Sequence, residues 1–130
     1  MVRKFLLGLI VGIVIMIIPT AVSASTEVSG NISSDTTWDV AGSPYLITGR
    51  VIIDAGKTLT VNPGTVVKVN QACGIEVNGT LNAVGTAEEK IYFTDVRDDS
   101  VGGDSDNAAA SPGAGWWKGI NFYDGSSGSL

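Results

Sequence analysis

Val51-Ile-Ile-Asp-Ala-Gly-Lys-Thr-Leu-Thr-Val61 runs straight into Asn62-Pro-Gly-Thr-Val-Val-Lys-Val69, and then through Gly74-Ile-Glu-Val-Asn-Gly-Thr-Leu-Asn-Ala83. The phrase repeats: two alternating apolar residues, a glycine-bearing turn, then two more. Alternation at a period of two is the mark of a strand with one buried face. It predicts strands near Tyr45–Thr48, Val51–Ile53, Thr58–Val61, Val66–Val69, Ile75–Val77, Thr80–Ala83 and Ile91–Thr94. The inward pairs are Leu59 with Val61, Val67 with Val69, Ile75 with Val77, Leu81 with Ala83, and Ile91 with Phe93. Thr60, Lys68, Glu76, Asn82 and Tyr92 then point outward.

Two all-β architectures use such strands. Asn78-Gly79 between alternating segments is a strong hairpin signal, which favours an antiparallel sandwich or barrel. Against it, the strands are short, and the corners vary in length without disturbing the inward pairs. A solenoid tolerates that variation, because insertions map to its loops while successive coils stack to bury the interior. The expected class is therefore all-β, a parallel β-helix of about three coils.

The run Gly56–Val69 resembles the opening coil of secreted right-handed parallel β-helix proteins of the pectate-lyase-like superfamily. Gly74–Thr86 followed by Lys90–Thr94 resembles their next coil, and Trp117-Lys118-Gly119-Ile120 the start of the strand beyond it. The resemblance spans Trp38 to Tyr123 and is specific for fold, not activity. It implies a solenoid shared by polysaccharide lyases, adhesins and surface proteins, with this segment at the N-terminal end of a longer helix.

Arg3 and Lys4 precede an apolar run, Phe5 to Ile18, broken by Pro19 and followed by small residues at Val22-Ser23-Ala24. That is the layout of a signal peptide over 1–24, too short in its apolar part for an ordinary membrane span of about 20 residues. A secreted or cell-surface address is expected, with membrane contact only through this segment if it stays uncleaved. Residues 25–44 read as a polar lead-in or cap anchored by Trp38 and Val40, and 45–130 as coils carrying an insertion at 95–115.

The whole chain has a net charge of −5, and loss of Arg3 and Lys4 makes the remainder more acidic. Such a balance argues against nucleic acid or an anionic membrane surface as partner; polysaccharide or cell envelope is the partner expected of a scaffold or adhesion surface. Cys73 is the only cysteine, so no intramolecular disulfide forms, and it reads as a small apolar side chain beside Ile75. The absence of histidine excludes a Ser–His triad, a Cys–His pair and the common zinc sites within this chain. Asn31-Ile32-Ser33 and Asn78-Gly79-Thr80 match the glycosylation triplet.

The candidate chemistry lies in the insertion. Asp98, Asp99, Asp104 and Asp106 are hard oxygen ligands on a flexible loop, the donor type that calcium takes. Ala108 replaces an expected ligand and no glutamate closes the loop, so a solvated acidic excursion is the competing reading. Asp95, Arg97 and Asp98, with Lys118, are the residue types of a uronate lyase, which the resemblance brings to mind as an alternative. An arginine or lysine base would need a pKa far below its ordinary value, and this polar stretch does not promise the burial for it. Trp116 and Trp117 are candidates for stacking on sugar rings, with one expected to be buried and the other partly exposed. No catalytic residue is assigned. The C-terminal Gly125–Leu130 reads as a turn entering another strand, so the chain is expected to be the N-terminal part of a longer helix. A non-catalytic scaffold or adhesion surface, contacting carbohydrate, is the expected function; the N-terminal portion of a polysaccharide lyase or glycoside hydrolase whose catalytic coils lie beyond Leu130 is the alternative.

Overall fold

The computed structural model describes residues 24–130. The signal segment assigned to 1–24 therefore lies almost wholly outside the described residues. Among the described residues no helix is long and apolar enough to cross a membrane.

Among the described residues ten strands wind into a β-solenoid of about three turns, and every strand pairing there is parallel. They are β1 (Thr26–Ile32), β2 (Thr36–Trp38), β3 (Tyr45–Ile53), β4 (Thr58–Val61), β5 (Val66–Val69), β6 (Ile75–Val77), β7 (Thr80–Asn82), β8 (Tyr92–Asp95), β9 (Ile120–Phe122) and β10 (Ser127–Ser129). Three ladders result. The first stacks Thr26–Val28, Tyr45–Ile47, Val67–Val69 and Phe93–Asp95. The second stacks Gly30–Ile32, Val51–Ile53, β6 and β9. The third stacks β2, β4, β7 and β10.

The inward residues form one column of apolar rungs. Ile47, Val51, Ile53, Leu59, Val67, Val69, Ile75, Val77 and Leu81 are all fully buried, as alternation predicts. Each rung lies on the next at the strand spacing of about 4.8 Å, so burial comes from stacking rather than from two facing sheets. Asn78-Gly79 makes no hairpin: β6 and β7 belong to different ladders, and Gly79 sits at the corner between them.

Several details depart from expectation. The two strands expected at Tyr45–Thr48 and Val51–Ile53 are one strand, β3, whose halves serve the first and second ladders. Residues 25–44 supply the first rung through β1 and β2; Trp38 is buried and stacks on Tyr45 at 4.9 Å. Val40 is no anchor, being 57% exposed in a short 3-10 turn. Lys68 lies on the outer face but is fully buried, because the acidic excursion folds back over it. Ile91 and Phe93 are only partly buried against the core.

Candidate functional site

The excursion starts from a strand end. Asp95 closes β8, its backbone in register with Val69, and its side chain is buried. Its carboxylate gathers the start of the loop: Oδ1 accepts from the Arg97 backbone N–H at 2.9 Å and from Nε at 3.0 Å. Oδ2 accepts from an Arg97 terminal nitrogen at 2.5 Å, and more loosely from Gly113 N at 3.4 Å. A single carboxylate thus ties the two ends of the excursion together. The Arg97 hydrogen bonds hold the Asp95 carboxyl below its ordinary pKa against the opposing effect of burial, and the same pair raises Arg97.

Arg97 also lies over Trp116, 3.5 Å from the ring centroid, which is stacking distance for a cation on an indole face. One face of Trp116 is therefore taken. Its indole N–H is buried without a partner among the described residues. Trp117 packs against the core cluster, and both tryptophans are half-buried. The expected split into one buried and one partly exposed tryptophan is therefore not seen: Trp116 faces Arg97 and Trp117 faces the core, each keeping part of its surface exposed.

The four aspartates separate. Asp98 accepts from Ser100 N at 3.1 Å and Ser100 Oγ at 2.5 Å on one oxygen, and from Thr94 Oγ1 at 2.8 Å on the other. These bonds, those of Ser100 first, lower its pKa, and Lys68 adds to the effect. Asp98 acts as a loop brace. Asp99, Asp104 and Asp106 do converge, with one oxygen of each within 4.8 Å of the others. Asp104 Oδ1 is engaged by Asp106 N and Asn107 N, and Asp106 Oδ1 by Ala108 N, so each retains one less committed oxygen. Calcium takes six to eight oxygens. Asp99 offers two oxygens, and Asp104 and Asp106 one less committed oxygen each, so these mostly exposed carboxylates fall short of a full set. Titration of the full chain with calcium should accordingly show binding no tighter than about 10⁻⁴ M, the range of weak extracellular sites. Micromolar binding in calorimetry would contradict this geometry.

Beneath the excursion, Lys68 is in register with Leu46 and Thr94 and donates its ammonium to the Gly103 carbonyl. Gly102 packs on the Lys68 stem and on Pro44 and Val66. The lone outward lysine of β5 thus latches the loop to the sheet. Sequence reasoning placed Lys68 on the correct face, but a covered outer face leaves no periodic signal.

A second polar feature lies on the second ladder. The turn Asn70–Gly74 and the bend Trp116–Gly119 are joined by Ala72 N to Trp116 O at 2.9 Å, Lys118 N to Cys73 O at 2.8 Å and Ile75 N to Gly119 O at 3.1 Å. Ala72 adopts φ 59° and Gly119 φ 77°. Arg50 pairs with Glu76 at 2.9 Å beside this junction.

No family model and no solved structure matches the chain. Among curated proteins it is similar to Protein bark beetle of Drosophila melanogaster, 36% identical over 75 residues, or 57% of this chain. That stretch is 2% of the relative, so the chain spans only a small part of the curated protein it matches.

Proposed function

We propose that the chain is an exported β-solenoid scaffold whose outer surface contacts carbohydrate or cell envelope and which performs no chemistry of its own. One observation carries this reading: the residues of lyase type are committed to each other. Asp95 is bound to Arg97, Arg97 is stacked on Trp116, and both oxygens of Asp98 are engaged by Ser100 and Thr94. A proton-abstracting base needs a lone pair near neutral pH, whereas Arg97 is shifted toward permanent charge. Lys118, the other candidate, lies on the second ladder beside Cys73 and not with the Asp95 group. The export part of the proposal is supported by Arg3, Lys4, the Phe5–Ile18 run and the small residues before Ser25.

The test has two arms. Incubated with acidic polysaccharides, the full chain should release no unsaturated products, followed by their ultraviolet absorbance. It should be retained on insoluble polysaccharide or envelope material. Product release would place lyase chemistry within this chain and overturn the non-catalytic reading, and absence of retention on every such material would remove the contact function.

A further inference from the structure

The junction on the second ladder is the floor of a groove of about 190 Å³, lined by Arg50, Ala72, Gly74, Glu76, Lys118 and Asn121. We propose that this groove binds the carboxylate and neighbouring hydroxyls of one acidic sugar residue. The inference rests on the carbohydrate-contact reading above, to which it gives a location and a ligand chemistry.

Charge is the first argument. Arg50 is largely offset by Glu76. Lys118 is exposed and has no ion pair among the described residues. The groove therefore holds one uncompensated positive charge on a chain of net charge −5. A single free cation matches a monoanionic carboxylate better than a phosphate dianion.

The acceptors come second. Glu76 and Asn121 are adjacent in register on the outer face of β6 and β9. Asn121 donates one Nδ2 hydrogen to the Lys118 carbonyl at 3.2 Å, and its Oδ1 accepts no hydrogen bond among the described residues. Oδ1 and the Glu76 carboxylate can accept from sugar hydroxyls while the cations take the carboxylate. Arg50 keeps donors beyond its single contact with Glu76, since a guanidinium carries five.

The floor is pre-formed. The three backbone bonds between the turn and the bend fix the distance from Gly74 to Lys118, and Val51 N adds a fourth bond to Gly74 O at 3.1 Å. Gly74 permits this approach: a β-carbon there would come within 2.8 Å of the Gly119 carbonyl oxygen. A rigid floor lowers the ordering cost of binding. The volume suits one ring, and affinity in the millimolar range is expected for a monosaccharide.

The probes are D-glucuronate, glucose and inorganic phosphate, each titrated into isotopically labelled full chain and followed by amide NMR. Glucuronate should shift Gly74, Gly119 and the Asn121 side-chain amide, and glucose should leave them unmoved. Lys118→Met, at an exposed position that leaves the coil intact, should weaken glucuronate binding about three- to fivefold, as expected for an exposed ion pair. Equal responses to glucose, equal responses to phosphate, or no response at these amides would each overturn the proposal. If the chain is still retained on polysaccharide in that event, the groove assignment fails and the scaffold reading survives; loss of both removes the reading beneath it.

Discussion

Replacing Gly79 with alanine should destabilise the protein by about 3 kcal/mol, at the upper end of ordinary overpacking. The corner between β6 and β7 brings Gly79 against the chain one coil earlier, and a β-carbon would fall onto the carbonyl oxygens of Lys57 and Asp54. Both obstacles are backbone, so no rotamer change relieves them. The same corner carries Thr80 N to Lys57 O at 2.8 Å, Gly79 N to Ile53 O at 3.1 Å and Ser127 N to Gly79 O at 3.0 Å. Pushing it outward would disturb bonds to the coils on both sides. Gly56→Ala is the control: it has φ 75° and nothing near its β position, so it bears only the left-handed backbone cost of about 1–2 kcal/mol. Urea unfolding should show the larger fall in midpoint for G79A; equal falls would mean that crowding at this corner is not what the glycine relieves.

The second large effect belongs to Asp95. Asp95→Ala removes the carboxylate from a buried site where it meets Arg97 four times and Gly113 once. A cost of about 2–3 kcal/mol is expected, since bonds to a charged group are worth about 1.5–3 kcal/mol each and are not additive. Much of the loss should be local, because the bonds close the excursion while the β5–β8 ladder is made by backbone. Limited proteolysis should therefore cut within 99–114 faster in the variant than in the parent. Unchanged cleavage would show that the loop is held by Lys68 and the glycines alone.

The same group predicts an acid response. Its pKa is depressed in the folded protein, so its stabilisation is fully present above the ordinary aspartate value of about 3.9. It is lost as pH falls through the lower folded value. The loop should stay protected at pH 5 and open only as pH falls below the ordinary aspartate range, toward the depressed folded value. Asp98 is shifted in the same direction and contributes within the same window. Asp95→Asn, compared with the parent across that range, should flatten the proteolysis profile; an unchanged profile would assign the transition to Asp98.

The inward column was legible because period-two alternation is a direct consequence of strand geometry. Leu59, Val61, Val67, Val69, Ile75, Val77 and Leu81 all land where alternation puts them. Gly79 was legible as a corner but for a different physical reason: the dipeptide suggested a left-handed hairpin turn, whereas the structure uses the missing side chain for close approach. The first rung was harder to see, since β1 is mostly exposed and polar, and its pairing depends on β3. Long-range gathering was not legible at all. Nothing local in the sequence says that Gly103 returns to Lys68, or that Asp98 turns away while Asp99, Asp104 and Asp106 meet. The Arg50–Glu76–Lys118–Asn121 groove joins residues from three coils and appears only once their register is known.

The excursion leaves β8 and rejoins at β9 without altering either ladder, for β8 keeps its register on β5 and β9 keeps its register on β6. The fold therefore counts rungs and is indifferent to how much chain is spent between two of them. That makes 107–111, the exposed crest of the excursion, a natural splice point for a grafted peptide or a reporter tag, presented sideways from a rod whose own winding need not be redesigned.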